Sequence, residues 1–137
     1  MNDSEGLFAS NYTMPADSPG FQLWSQFLTW QRGLNAVLLP LGLTQPQFAI
    51  LAMCGWLCRD DGATNQRDIA VATGMDKMHV SQVIARLVRA TLVGRTAGGE
   101  DARIRPITPT ITGWRLLSEA LPIVEAFDAN YFAKLAK

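Results

Sequence analysis

Apolar residues recur with a helical period over most of the chain and switch to a shorter alternating pattern over one stretch. Within 21–39, Leu23, Phe27, Trp30, Leu34 and Val37 are spaced by four, three, four and three residues, with Trp24, Leu28 and Leu38 widening the stripe. This predicts an amphipathic helix with a heptad-like seam, stopped near Pro40. Thr44-Gln45-Pro46-Gln47 supplies a hydroxyl cap, a first-turn proline and a glutamine that completes a capping box. A second helix therefore runs through Phe48, Leu51, Met53 and Leu57 until Arg59-Asp60-Asp61-Gly62 turns the chain. Thr64 or Asn65 caps a short third helix carrying Ile69, Ala70 and Ala72, and Gly74 ends it. Asp76 caps a fourth, with Val80, Val83, Ile84, Leu87 and Val88 on its buried face.

The period then changes. Residues 92–96 and 103–107 read as two short strands joined by the glycine-containing tip 97–102, a β-hairpin. Pro106 and Pro109 each remove a ladder donor, so the second strand is expected to be short and imperfectly paired. Thr110 or Thr112 opens a last helix with Leu117, Leu121, Val124, Phe127, Tyr131 and Leu135 about one turn apart, and Pro122 is expected to kink it. Residues 1–18 have no period and read as a mobile arm. Helix, tight turn, helix, hairpin is the order of a winged helix-turn-helix, so the expected fold is mainly α with a small β-hairpin wing. The second helix of such a unit fits the DNA major groove.

With 48% hydrophobic and 18% charged residues in 137, the composition is that of one folded domain. The longest apolar run, 48–58, is short and broken by Gly55, so no membrane span is expected. Asp3 and Glu5 stand where a signal peptide carries positive charge, which points to the cytoplasm. Cys54 and Cys58 share one face of an apolar helix without basic neighbours, and read as buried thiols rather than a disulfide or a redox sensor. One histidine and two such cysteines make no metal set, and His79 has no partners for a triad, so neither metal, cofactor nor catalysis is expected.

Asp101-Ala102-Arg103 at the hairpin tip, followed by Thr-Ile-Thr-Gly from Thr110 to Gly113, resembles the wing and next helix start of the MarR family of transcription regulators. The resemblance extends from Thr44 through Asn65-Gln66-Arg67-Asp68-Ile69-Ala70 and the stretch 76–87. It implies a cytoplasmic homodimer on double-stranded DNA, most often a repressor, with recognition helices in successive major grooves of a pseudo-palindrome. It also implies release by a small aromatic effector in many members. On this reading residues 19–137 form one domain: a dimerisation helix at 19–43, the winged helix-turn-helix at 44–109 and a second dimerisation helix at 110–137. Thr91 stands where the family usually has glycine, so the turn there must differ or carry strain.

The expected DNA contacts are Lys77, His79, Ser81, Gln82 and Arg86 on the recognition helix, where an ordinary solvated face is the alternative. Arg103 and Arg105, two residues apart on one strand, project together toward the minor groove or phosphate, with Asp101 holding an arginine in place. Asn65 and Gln66 either approach phosphate beside backbone N–H groups or simply cap a helix. Trp24, Trp30 and Trp56 are candidates for an aromatic effector pocket, core packing being the alternative.

Twelve basic and twelve acidic residues give a formal net charge of zero, which at first opposes a polyanionic partner. The distribution reverses that. From Thr64 to Arg115, Arg67, Lys77, Arg86, Arg89, Arg95, Arg103, Arg105 and Arg115 stand against Asp68, Asp76, Glu100 and Asp101, an excess of +4 balanced by −4 elsewhere. A winged-helix protein-interaction module without DNA binding, the competing class, calls for acidic or apolar residues on the recognition face and no arginine in the wing.

Overall fold

A computed structural model describes residues 6–96, 101 and 103–136, so the expected hairpin tip at 97–100 and 102 lies outside the described residues. The chain forms two compact units, Met1–Gly33 and Leu34–Lys137. The first contains a 3₁₀ turn, Pro15–Asp17, and most of helix α1, Pro19–Leu38. The Ser18 hydroxyl accepts the Phe21 N–H at 3.2 Å and Pro19 occupies the first helical position, so α1 begins two residues before its apolar stripe. Phe21 and Trp24 meet edge to face along it, and Phe27 packs beside Trp30.

The second unit holds α2 (Gln45–Leu57), α3 (Gln66–Thr73), α4 (Lys77–Arg89), strands β1 (Val93–Arg95) and β2 (Ile107–Pro109), and α5 (Ile111–Leu135). Helix α2 lies centrally, packed on α3, α4, α5 and β2. Its Ile50, Leu51 and Cys54 meet a fully buried set that includes Leu34, Leu38, Ile69, Val80, Ile84, Leu87 and Ile107. Val88, expected on the buried face, is half-buried. The Thr44 capping box forms in both directions: Thr44 Oγ1 accepts the Gln47 N–H at 3.4 Å and Gln47 Oε1 accepts the Thr44 N–H at 3.0 Å. Asp76 caps α4 through the His79 N–H, and Thr110 caps α5 through the Gly113 N–H. Helix α5 is a single 25-residue element that includes Pro122.

The end of α4 is a Schellman turn with threonine at its left-handed position. Thr91 N–H donates to Val88 O and Leu92 N–H to Leu87 O, while Thr91 takes φ of +59°. A β-branched residue is strained there. Of the two outcomes expected for Thr91, a strained turn is the one observed.

The wing differs from its sequence reading. The second strand does not cover 103–107; it spans Ile107–Pro109 and pairs antiparallel with β1, Val93 opposite Pro109 and Arg95 opposite Ile107. The cause is local: Asp101 Oδ1 accepts the Arg103 N–H at 2.9 Å and curls the chain into a turn, while Pro106 cannot donate to a ladder. Strand pairing therefore starts only at Ile107. Its N–H and C=O are both taken on the far side by Thr64, at 2.8 and 3.0 Å, which makes β2 the middle of a minimal three-stranded arrangement. Because backbone groups alternate sides, Thr108 faces β1 and the N of Pro109 faces away from it. Pro109 thus costs the β1–β2 ladder nothing; of the two prolines only Pro106 removes a donor on the β1 side, and the strand is short, as expected.

Gly113 locks the wing to α5. A Cβ there would lie 1.9 Å from Leu92 O, so the first turn of α5 sits directly on the backbone that follows α4. Gly55 does the same between helices, since its Cβ would meet Leu117 Cδ2 at 2.7 Å.

Candidate nucleic-acid interface

Helix α4 buries Val80, Val83, Ile84 and Leu87. At about 100° per residue, the direction opposite that core lies within about 30° of residues 78, 82, 85 and 89. Met78, Gln82 and Arg89 are exposed along this line, and Ala85 is half-exposed. The other expected readers sit on the flanks: Lys77 and His79 point sideways, Ser81 is half-buried and Arg86 is exposed off the midline. Met78 and Arg89 are the two outward residues that the sequence reading left out. The helical wheel is the signal in the sequence that marks both positions.

Beside the start of α4, Gln66, Arg67, Ala70, Lys77 and Arg103 line a small cavity of about 50 Å³. Three cations from α3, α4 and the wing thus converge on one opening. Arg103 is held there twice. Its guanidinium grips Asp101 through Nε at 3.1 Å and Nη2 at 2.9 Å, and its carbonyl accepts the Arg67 N–H at 2.9 Å. The hydrogen bonds from the Arg103 side chain and backbone lower the Asp101 carboxyl to a pKa of about 2, and the carboxylate in turn raises the Arg103 pKa.

This geometry corrects one expectation about the wing and fixes the cap of α3. Arg103 and Arg105 lie before β2, in a turn and a bend, so the same-face argument from strand alternation does not hold; Arg103 is exposed and Arg105 half-buried. At the start of α3, Asn65, not Thr64, is the cap: its Oδ1 accepts the Asp68 N–H at 2.8 Å and its Nδ2 donates to Asp68 Oδ2. The Arg67 amide is spent on the wing, Gln66 is buried, and a carboxylate occupies the first turn. Two first-turn donors of α3 are thus already used, the Arg67 N–H on the wing and the Asp68 N–H on Asn65, and Asn65 takes the capping role that was one of its two expected readings.

Cys54 and Cys58 are buried and unbridged. Burial, with Cys58 beside it, pushes the Cys54 thiol up to about 12, and burial also raises Cys58, whose Sγ lies 3.6 Å from Ile107 O. Of the expected effector-site tryptophans, Trp24 in the first unit and Trp56 in the second are exposed and Trp30 is half-buried. Trp56 carries the Arg59 guanidinium 3.7 Å above its ring. A cleft of about 430 Å³ in the second unit is lined instead by Trp114, with Cys58, Arg59, Asp61, Gly62, Thr108 and Pro109. Among the described residues no cluster of metal-ligating side chains occurs, and no single helix is long and apolar enough to cross a membrane.

A capped helix pair turning at Gly74, with a hairpin behind the second helix and cations gathered at its start, defines a winged helix-turn-helix. The model of the MarR family matches residues 43–104. The chain is 31% identical over 128 residues to the HTH-type transcriptional regulator YdcH of Bacillus subtilis, covering 93% of this chain and 87% of that one. Among solved structures it is similar to CouR of Rhodococcus jostii bound to p-coumaroyl-CoA, with a TM-score of 0.71, 28% identity and coverage of 89% and 83%. It is also similar to the Mycobacterium tuberculosis repressor Rv2887 in complex with DNA, with a TM-score of 0.65, 27% identity and coverage of 86% of each chain. The chain belongs to the MarR family of transcriptional regulators.

Proposed function

We propose that the protein is a homodimeric transcriptional repressor of the cytoplasm that binds a pseudo-palindromic operator and is released by a planar aromatic acid. The observation that carries the reading is the uncovered outward face of α4 beside the converging cations Arg67, Lys77 and Arg103. In this arrangement Gln82 reads a base edge, Lys77, Arg86 and Arg89 take phosphate or guanine, His79 and Ser81 flank the helix, and Arg103, set by Asp101, reaches the backbone or minor groove. Exposed Phe21, Leu23, Trp24 and Phe27 on α1, and Leu121, Ile123, Phe132 and Leu135 on α5, are apolar surfaces suited to a second copy of the chain. Two recognition helices then fall about 34 Å apart, one turn of DNA.

Site selection from a random duplex pool at two salt concentrations tests this. A palindromic consensus with a steep salt slope is expected, and no enrichment at low salt would refute specific recognition.

Release by an aromatic acid is supported by the ligands of a relative, Rv2887, solved with p-aminosalicylic acid and with salicylic acid; CouR was solved with p-coumaroyl-CoA, an aromatic acyl thioester. The cleft at Trp114 and Arg59 offers this chain a ring face and a guanidinium for such a ligand, and it borders β2, the return strand of the wing. Titrating salicylate while following tryptophan fluorescence should give a saturable change that Trp114→Phe alters. Unchanged DNA affinity at saturating salicylate would argue against release by this class of ligand.

A further inference from the structure

We propose that Met78 is a base-reading residue that recognises the 5-methyl group of a thymine in each half-site, an inference that rests on the DNA-binding reading above. Met78 is 69% exposed, although it stands one residue after the start of a helix whose other large apolar side chains are buried, as Val80, Val83, Ile84 and Leu87 are, or half-buried, as Val88 is. Its position is within about 10° of the direction pointing straight away from that core. Gln82 follows one turn later on the same line and Arg89 completes it.

The first two turns of a recognition helix are those that reach base edges, so Met78 and Gln82 occupy the reading positions and Arg89, at the far end, falls toward the backbone. Lys77, the neighbour of Met78, lines the cationic cavity with Arg67 and Arg103, which places a phosphate-binding group next to the apolar side chain. Major-groove edges present one apolar group in an otherwise polar code, the thymine methyl. An unbranched thioether suits that contact, because it adjusts to the position of the methyl and loses little by leaving water only on the DNA. Gln82 beside it matches the adenine edge, so the pair favours an A·T-rich half-site.

The test uses the consensus duplex selected by the wild-type protein, with each thymine replaced in turn by deoxyuridine, which removes only the methyl group. At one symmetric position, wild-type affinity is expected to fall about 4-fold per substituted half-site and about 15-fold with both, the loss expected for one buried methyl at each. Met78→Ala is expected to be indifferent to that replacement, and Met78→Leu to retain part of the sensitivity. Met78 is exposed, so both variants should unfold at the wild-type temperature. Tolerance of deoxyuridine at every position by the wild type, or equal sensitivity in Met78→Ala, would overturn the assignment while leaving DNA binding intact. Failure to select any site overturns both.

Discussion

Thr91 and Gly113 hold the junction between the recognition helix, the wing and α5, and each does so against the ordinary preference of its residue type. The left-handed turn at Thr91 costs a β-branched residue about 1–2 kcal/mol, whereas glycine there gives back about 0.5–1 kcal/mol through its freer unfolded chain. Thr91→Gly should therefore stabilise the protein by about 0.5–1 kcal/mol, read as a raised midpoint in urea; a lowered midpoint would mean that the Thr91 hydroxyl, 2.6 Å from Ala90 O, outweighs the strain. Gly113→Ala should act in the opposite direction. Its Cβ would meet backbone rather than a movable side chain, and a loss of about 3 kcal/mol in the same measurement is expected.

Asp101 adds a pH dependence. Its carboxyl is lowered to about 2 in the folded protein from an ordinary 3.8, so the clasp on Arg103 contributes fully above about pH 4 and is lost as pH falls toward 2. A carboxyl carbon titration by NMR should find its midpoint near 2 in the wild type. In Arg103→Ala it should return toward 3.8, and a midpoint that stays low would assign the shift to another group.

At the scale of elements, the helices were legible because their caps are written in residue types: Thr44 with Gln47, Asp76 and Thr110 each stand where the corresponding helix begins. The wing was not, since its second strand is displaced by an Asp101 side chain acting on the backbone and by a bridge from Thr64, more than 40 residues away in sequence. Alternation cannot report a partner that distant. Helix α4 was legible as an element, and so was its buried face apart from Val88; which of its exposed residues points straight away from that face follows from the wheel, where Met78 and Arg89 lie nearer the outward direction than Lys77 and His79.

The corrected wing sharpens what its arginine should do. Arg103→Ala removes a cation from the cluster at the start of α4 and should weaken binding to all sequences alike, lowering the salt slope by about 0.9 per subunit. Gln82→Ala should leave that slope unchanged and flatten the preference at one base position, for a loss of about 1–3 kcal/mol on the selected site. Parallel salt titrations of the two variants separate positioning from reading, and equal slopes would remove Arg103 from the phosphate contacts.

For the whole molecule, the zero net charge hides a basic module flanked by acidic ends, an excess of +4 per subunit from Thr64 to Arg115. So modest an excess predicts only moderate attraction of a single chain for DNA, and under the proposed function tight binding comes from two subunits acting together. Leu121→Asp on the exposed face of α5 is therefore expected to convert a dimer to a monomer in sedimentation, with helix content unchanged and operator affinity reduced at least tenfold. A dimer that persists would place the association surface elsewhere.

The hydrogen bond from the Arg67 amide to the Arg103 carbonyl, together with the Thr64–Ile107 pair, makes the wing legible by amide exchange. An amide in the first turn of a helix has no intrahelical acceptor and ordinarily exchanges with solvent deuterium almost at once. Arg67 should instead be protected for as long as the wing stays docked. Its exchange rate thus becomes a clock for wing opening, readable in the free protein and independent of any DNA or effector.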